Sequence, residues 1–190
     1  MKNKIIKDAL ALTLITLVAG VALGGVYEIT KDPIAKQEAQ AKAEAYEQVF
    51  TDAAAFEALE MDDTLTKTIR DQLDQEGYKA QSIEEVMRAE DQSGETLGYA
   101  FAVITSEGYG GDIRFSMGVQ NDGTLNGISI LSIGETAGLG MNADTPAFKD
   151  QFVGKQVEKL QYTKNGATQD DEINAISGAT VTTNAMTNGV

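Results

Sequence analysis

The stretch "AISGATVTTNAM", Ala175 to Met186, gathers Ser177, Thr180, Thr182 and Thr183 around one glycine, in a chain with no histidine and no cysteine. A β-like approach ends at Ile176. Ser177, Gly178 and Ala179 are then small enough for the backbone to come close to a ligand. From Thr180 to Thr183 the chain opens a helical turn whose first amides lack an intrahelical acceptor, a favourable place for a phosphate. Two readings stand side by side. In one, Ser177 or Thr180 is an ordinary N-cap hydroxyl; in the other, the turn Val181–Thr183 meets a phosphorylated ligand. The phosphate-binding loop of nucleotide hydrolases is missing, since no "GxxxxGK[ST]" occurs and no lysine follows Lys164.

Two further stretches could approach the same ligand. In "SIGETAGLGMNADTP", Gly134, Gly138 and Gly140 punctuate a loop directly after a strand, with Leu139 and Met141 apolar among them. Here Leu139 covers a flat apolar ligand, Glu135 orients the loop and Thr136 donates a hydrogen bond; the competing reading is a glycine turn whose leucine plugs the core. In "TSEGYGGDI", Gly108, Gly110 and Gly111 surround Tyr109. That segment is either a plain strand–turn–strand connection or a turn that meets the ligand edge-on.

Composition removes most alternatives. Without Cys or His there is no thiolate nucleophile, imidazole base, cysteine-ligated cluster, ordinary zinc site or disulfide. No "DxDxDG" calcium loop is present. The carboxylate pairs Asp62–Asp63 and Glu84–Glu85 have no special spacing and read as solvated surface. Against 29 acidic residues stand 15 basic ones, a net charge of −14; such a surface repels nucleic acid.

The elements that position these loops start at a membrane. Ala9–Tyr27 is an unbroken run of uncharged, mostly apolar residues, roughly 28 Å of helix and close to the hydrocarbon thickness. Lys2, Lys4 and Lys7 precede it, which places the N-terminus in the cytoplasm and the rest of the chain outside. A cleaved signal peptide is the rival reading, favoured by the small residues of "VAGVALGG". Leaving out Lys2, Lys4, Lys7 and Asp8, the remainder carries 12 basic and 28 acidic residues.

Beyond the anchor, "DPIAKQEAQAKAEAYEQVF" predicts a helix with Pro33 in its first turn, and "TDAAAFEALE" a second short one. The stretch through Gly77 shows no clean period. "SIEEVMRAE", "TLGYAFAVITSE", "GDIRFSMGVQ" and "TLNGISILSIG" predict strands, with Asn121–Gly123 as a hairpin turn. "TPAFKDQFVG" predicts a short helix with Pro146 at its first position. The expected fold class is α+β: an N-terminal transmembrane helix, then one domain with a twisted, mainly antiparallel sheet flanked by helices.

The three loops, in this order behind an anchor, carry a family resemblance. The sequence resembles the flavin-binding G subunit of the Rnf-type ion-translocating oxidoreductase complex and, more distantly, the C subunit of the sodium-pumping NADH:quinone reductase. The likeness covers nearly the whole chain, strongest from Tyr99 onward and weakest over residues 50–80. It implies an FMN bound covalently through a phosphoester to the last threonine of "[ST]GAT", here Thr180 of "SGAT". Ser177, Gly178 and Ala179 then shape the approach, and Val181, Thr182 and Thr183 meet the phosphate. Glu135, Thr136, Gly138, Leu139 and Gly140 of "ETAGLG", with Tyr109 and Gly111 of "GYGG", complete the implied cofactor set. Ala137 replaces the family's usual proline, and Asn174 stands where an acidic residue is usual three before the serine. The resemblance further implies a separate flavin transferase, a terminal helix continuing past Val190, and membrane and peripheral partner subunits in the cell (inner) membrane. The implied organisation is a cytoplasmic N-terminus (1–8), an anchor (9–27), juxtamembrane helices (28–60) and an extracytoplasmic FMN-binding domain (61–190). The implied function is electron relay in a complex passing electrons from ferredoxin to NAD, coupled to Na⁺ or H⁺ export. A membrane-tethered sensor without redox role and a stand-alone flavin reductase are the alternatives.

Overall fold

Apolar residues at every second position in four successive segments drive the central sheet. The computed structural model describes residues 2–190, with side chains from Lys4 onward. Five antiparallel strands follow one another in spatial order: β1 (Ala55–Ala58), β2 (Gln81–Glu90), β3 (Thr96–Thr105), β4 (Ile113–Gln120) and β5 (Leu125–Ser132). The fold is α+β, as expected from the sequence. The β4–β5 hairpin turns at Asn121–Gly123, where Gly123 takes φ +86° and the Asp122 carboxylate accepts from the Thr124 amide at 2.9 Å. Positive φ is what glycine supplies there at no steric cost. A separate parallel pair, β6 (Gln161–Thr163) and β7 (Glu172–Asn174), lies beyond.

Alternation gives the sheet two buried faces. On one, Val103, Ile113, Phe115 and Ile128 pack with Phe148, Phe152, Ile173, Ile176, Ala185 and Met186. These partners come from the short helix α3 (Pro146–Lys149), the 3₁₀ turn Asp150–Phe152, β7 with the residues after it, and the helix α4 (Thr180–Gly189). On the other face, Tyr46, Val49 and Phe50 pack on Ala89, Ala100 and Ala102. The alanines are small because an aromatic ring must lie on them. Gly118 shows the same demand, since a Cβ there would sit 3.0 Å from the Phe50 ring and 2.8 Å from the Val49 carbonyl.

Tyr46 and Val49 lie in the last turn of α1 (Lys2–Val49), and Phe50 follows directly on it. The chain divides into two units, the first ending at Ala41 and the second running Lys42–Val190. Within the first, α1 is long and apolar enough to cross a membrane, and the part from Lys4 to Ile29 is exposed throughout. Pro33 lies inside α1 rather than at the first turn of a new helix as the sequence suggests. Pro33 forfeits one backbone bond there, but the Ala-, Glu-, Gln- and Lys-rich residues after it favour helix.

One other expectation is corrected, and one stretch left unassigned by the sequence takes a definite form. "TDAAAFEALE" is not a helix: β1 occupies its centre, paired Ala55↔Glu90 through Ala58↔Met87. Phe56 lies against Tyr46 with ring centroids 5.9 Å apart. Sheet pairing and that aromatic contact override the helix preference of three alanines. The acidic stretch before Gly77 is a helix, α2 (Asp63–Glu76). Asp62 caps it by accepting from the Leu65 amide at 2.7 Å, and Gly77 ends it at φ +91°.

Candidate functional site

The first turn of α4 settles the role of its hydroxyls. The N-cap is Ala179, at φ −132° and ψ 52°, and no side chain caps the helix. Ser177 is exposed and Thr180 is half-buried, so neither is the cap that the plain reading required. The first intrahelical bond runs from the Thr183 amide to the Ala179 carbonyl at 3.0 Å. The amides of Thr180, Val181 and Thr182 precede that bond and are left without a helical acceptor. Thr183 is fully buried and works inward: its Oγ1 donates to the Ala179 carbonyl at 2.9 Å and accepts from the Ile176 amide at 3.0 Å. That pair of bonds locks the "SGAT" turn onto the helix it precedes. Gly178 makes the turn at φ +76°, and a Cβ on it would lie 3.0 Å from Leu139 Cδ2.

A hollow of about 510 Å³ opens in front of this turn, within the range of small-molecule sites. Gly178, Ala179, Thr180, Val181 and Thr182 form one wall. Glu135, Thr136, Leu139, Gly140 and Tyr109 form the rest. The rim is apolar and open: Tyr109 is 76% exposed, Val181 49% and Leu139 42%. Leu139 therefore does not plug the core, which removes the competing reading of that loop.

Glu135 ties two loops together from behind. It is buried, and its Oε1 accepts from the Tyr109 amide at 2.7 Å and the Gly110 amide at 3.3 Å. Gly140 has to be glycine because a Cβ would come within 2.5 Å of Glu135 Oε2 and 2.6 Å of Thr182 Oγ1. The loops thus meet α4 at contact distance, with no room for one extra carbon.

Of the fourteen residues of the implied cofactor set, ten line the hollow: Tyr109, Glu135, Thr136, Leu139, Gly140, Gly178, Ala179, Thr180, Val181 and Thr182. Four do not. Ser177 and Gly138 lie on the exposed outside of their turns, Gly111 makes the next turn at φ +115°, and Thr183 is buried below. Sequence reasoning missed Glu107, whose carboxylate accepts from Asn188 Nδ2 at 2.7 Å and Asn184 Nδ2 at 3.3 Å. The spacing of Thr180, Asn184 and Asn188 at helical i, i+4, i+8 was the available signal.

Asn174 is tied down on both its side chain and its backbone. Its Oδ1 accepts from the Ala167 amide at 2.6 Å, while its backbone amide donates to Gln151 Oε1 at 2.7 Å. It braces the turn between β6 and β7. Among the described residues no acidic cluster is arranged to hold a metal ion.

The hollow's chemistry is specific in kind. Three free amides at a helix start suit an anionic phosphate. A hydroxyl stands beside them, and a leucine and a tyrosine offer a planar apolar group somewhere to lie. These features fit a flavin mononucleotide.

Comparison with known proteins agrees. Residues 108–190 match the FMN-binding domain family, and residues 1–49 match the RnfG N-terminal region. The chain is 32% identical over 188 residues to the G subunit of the Na⁺-translocating ferredoxin:NAD⁺ oxidoreductase complex of Acetobacterium woodii, covering 98% of this chain and 88% of that one. It is 29% identical to the proton-translocating counterpart of Clostridium ljungdahlii, covering 100% and 89%. A crystal structure of the C subunit of the Na⁺-translocating NADH-quinone reductase of Parabacteroides distasonis shares the fold, with a TM-score of 0.51, 22% identity and 72% of each chain covered.

Proposed function

This chain belongs to the family of G subunits of ion-translocating oxidoreductase complexes, and on that premise we propose that it relays electrons through an FMN esterified to Thr180. Its relatives from A. woodii and C. ljungdahlii are named as parts of ferredoxin:NAD⁺ oxidoreductase complexes. The same role is proposed here, alongside other membrane and peripheral subunits.

The observation that carries the reading is the place of Thr180: first residue of α4, half-buried, beside three free amides and facing a hollow rimmed by Tyr109, Leu139 and Val181. Charge argues that the attachment is covalent. No Lys or Arg lies in residues 165–190, and none lines the hollow. A helix start favours an anion by only about 0.3–1 kcal/mol, up to about 2 when partly buried. With no cation on the wall, a bond through Thr180 Oγ1 would do what a cationic clamp does elsewhere.

The residues then divide the work. The amides of Thr180, Val181 and Thr182 face the phosphate, Leu139 and Tyr109 flank the ring system, and buried Glu135 holds the Tyr109 turn in register. When bound, the flavin supplies the redox chemistry; the chain supplies orientation and exposure. Neither His nor Cys is present in the chain to activate Thr180. An unactivated hydroxyl is a weak nucleophile, which supports attachment by a separate flavin transferase. The helix of residues 9–27 fits a single-pass anchor. The lysines before it support a cytoplasmic N-terminus, with the FMN-binding domain, residues 61–190, on the other side.

Intact mass of the full chain, made in membranes together with a flavin transferase, tests the attachment. An FMN-sized increment that disappears in Thr180→Val is expected, with the variant still folded. An unmodified wild-type chain under those conditions overturns the covalent reading.

A further inference from the structure

We propose that Glu107 is a positioning residue for the flavin: it fixes the α4 face bearing Thr180 against the turn bearing Tyr109. This inference rests on the flavin reading above.

Glu107 follows the end of β3 by two residues, immediately before the turn Gly108–Gly111, and it is half-buried. One of its oxygens, Oε2, accepts from both Asn188 Nδ2 at 2.7 Å and Asn184 Nδ2 at 3.3 Å. Asn184 and Asn188 are one and two turns below Thr180 on the same helical face. With a rise of 1.5 Å per residue, the Asn184 bond is made about 6 Å along the axis from Thr180. The carboxylate is therefore anchored to the same line of side chains that ends in the acceptor hydroxyl.

The turn that follows Glu107 is itself held. Gly108 packs so tightly that a Cβ would run into the Gly111 carbonyl and come within 3.0 Å of Glu135 Oε1. Glu135 takes the amides of Tyr109 and Gly110. Two carboxylates thus connect three segments in series: α4 to the Tyr109 turn through Glu107, and that turn to the Leu139 loop through Glu135. Glu135 touches the hollow, whereas Glu107 stands outside it and acts only through α4. Thr183 holds the helix to its own preceding turn. Glu107 adds side-chain hydrogen bonds from α4 to the segment that leads into the Tyr109 turn. Hydrogen bonds to an ionised carboxylate are stronger than those between neutral groups, and two amides sharing one oxygen set the helix's rotation as well as its distance.

The test uses the detergent-solubilised full chain, loaded with FMN in membranes and checked by intact mass. Glu107→Ala is expected to keep the FMN increment, because the Thr180 hydroxyl is untouched. It should nevertheless lose flavin fluorescence anisotropy and show faster amide hydrogen exchange over residues 180–184. Glu107→Gln keeps one acceptor oxygen and should recover most of the anisotropy. Phe50→Leu, on the far face of the sheet, should lower Tm without moving either flavin anisotropy or exchange at 180–184. If Glu107→Ala fails to accumulate, Asn188→Ala removes the shorter bond from the other side and should give the same losses. Wild-type anisotropy and wild-type exchange in these variants overturn the proposal. A wild-type chain without the mass increment instead overturns the covalent-flavin reading. The exchange measurement then still decides the role of Glu107.

Discussion

At the scale of single residues the site is set by close approach. Gly140 faces Glu135 and Thr182 with no space for a methyl group, so Gly140→Ala must push the loop off α4. A cost of about 1–3 kcal/mol follows from forcing one carbon into a packed position, measurable as a lower urea midpoint with an unchanged slope. Asn174→Asp runs the other way. An aspartate can still accept from the Ala167 amide, so stability should hold within about 0.5 kcal/mol, as expected of an exposed substitution. If an acidic residue three before the serine aids attachment, as the family resemblance implies, a time course of in-gel flavin fluorescence should show it faster in this variant. The residues that line the hollow were legible because glycines and hydroxyls cluster for few reasons. Which hydroxyl faces which way was not. Thr183 and Thr180 look alike in sequence, yet a helix start gives one to the backbone and the other to the hollow. That division depends on which residue is the N-cap, and Ala179 carries no sequence sign of it.

At the scale of elements, the strands β2–β5 and α3 could be read from alternation and from Pro146, while β1 and α2 could not. β1 exists because β2 offers an edge and Tyr46 offers Phe56 a ring, and neither fact is local. The α2 signals were present: Asp62, then Leu65, Ile69 and Leu73 at helical spacing, then Gly77. A surface rich in acids and threonines masked them, and no residue of α2 is buried. The end of α1 makes a pH-dependent contribution. Burial pushes the Tyr46 phenol well above its ordinary range; a hydrogen bond to Glu85 at 2.9 Å and the charges of Glu85 and Glu84 add to it. A raised phenol keeps its proton in the folded chain while the unfolded chain loses it near pH 10. The stabilisation is therefore complete below about pH 10 and is lost as pH rises beyond it. Tyr46→Phe should cost about 1 kcal/mol at neutral pH through the lost bond and flatten the alkaline fall. Urea midpoints measured from neutral to strongly alkaline pH for both chains would show it.

At the scale of the whole molecule, the absence of cysteine makes the orientation easy to measure. The Asp91–Glu95 turn is a suitable place for a reporter. Asp91 holds the Ser93 hydroxyl and the amides of Ser93 and Glu95, and these bonds keep its carboxyl below the usual range. Ser93 is exposed, so Ser93→Cys would be the chain's one thiol. An extracytoplasmic domain predicts labelling of intact cells by a membrane-impermeant maleimide; labelling only after lysis would reverse the orientation. At this scale the apolar run and the lysines before it are the whole of the signal, because orientation is decided by a membrane that the folded domain never reports.

The order of elements along the chain has a consequence for timing. The sheet is a meander whose every pairing joins consecutive strands, so it can assemble progressively as the polypeptide is made. The hollow cannot, because one of its walls is α4, which follows every strand. An enzyme that recognises the assembled "SGAT" turn would meet it only on chains whose sheet is already in place. Attachment of the flavin would then double as an inspection step, marking finished molecules and passing over those still being built.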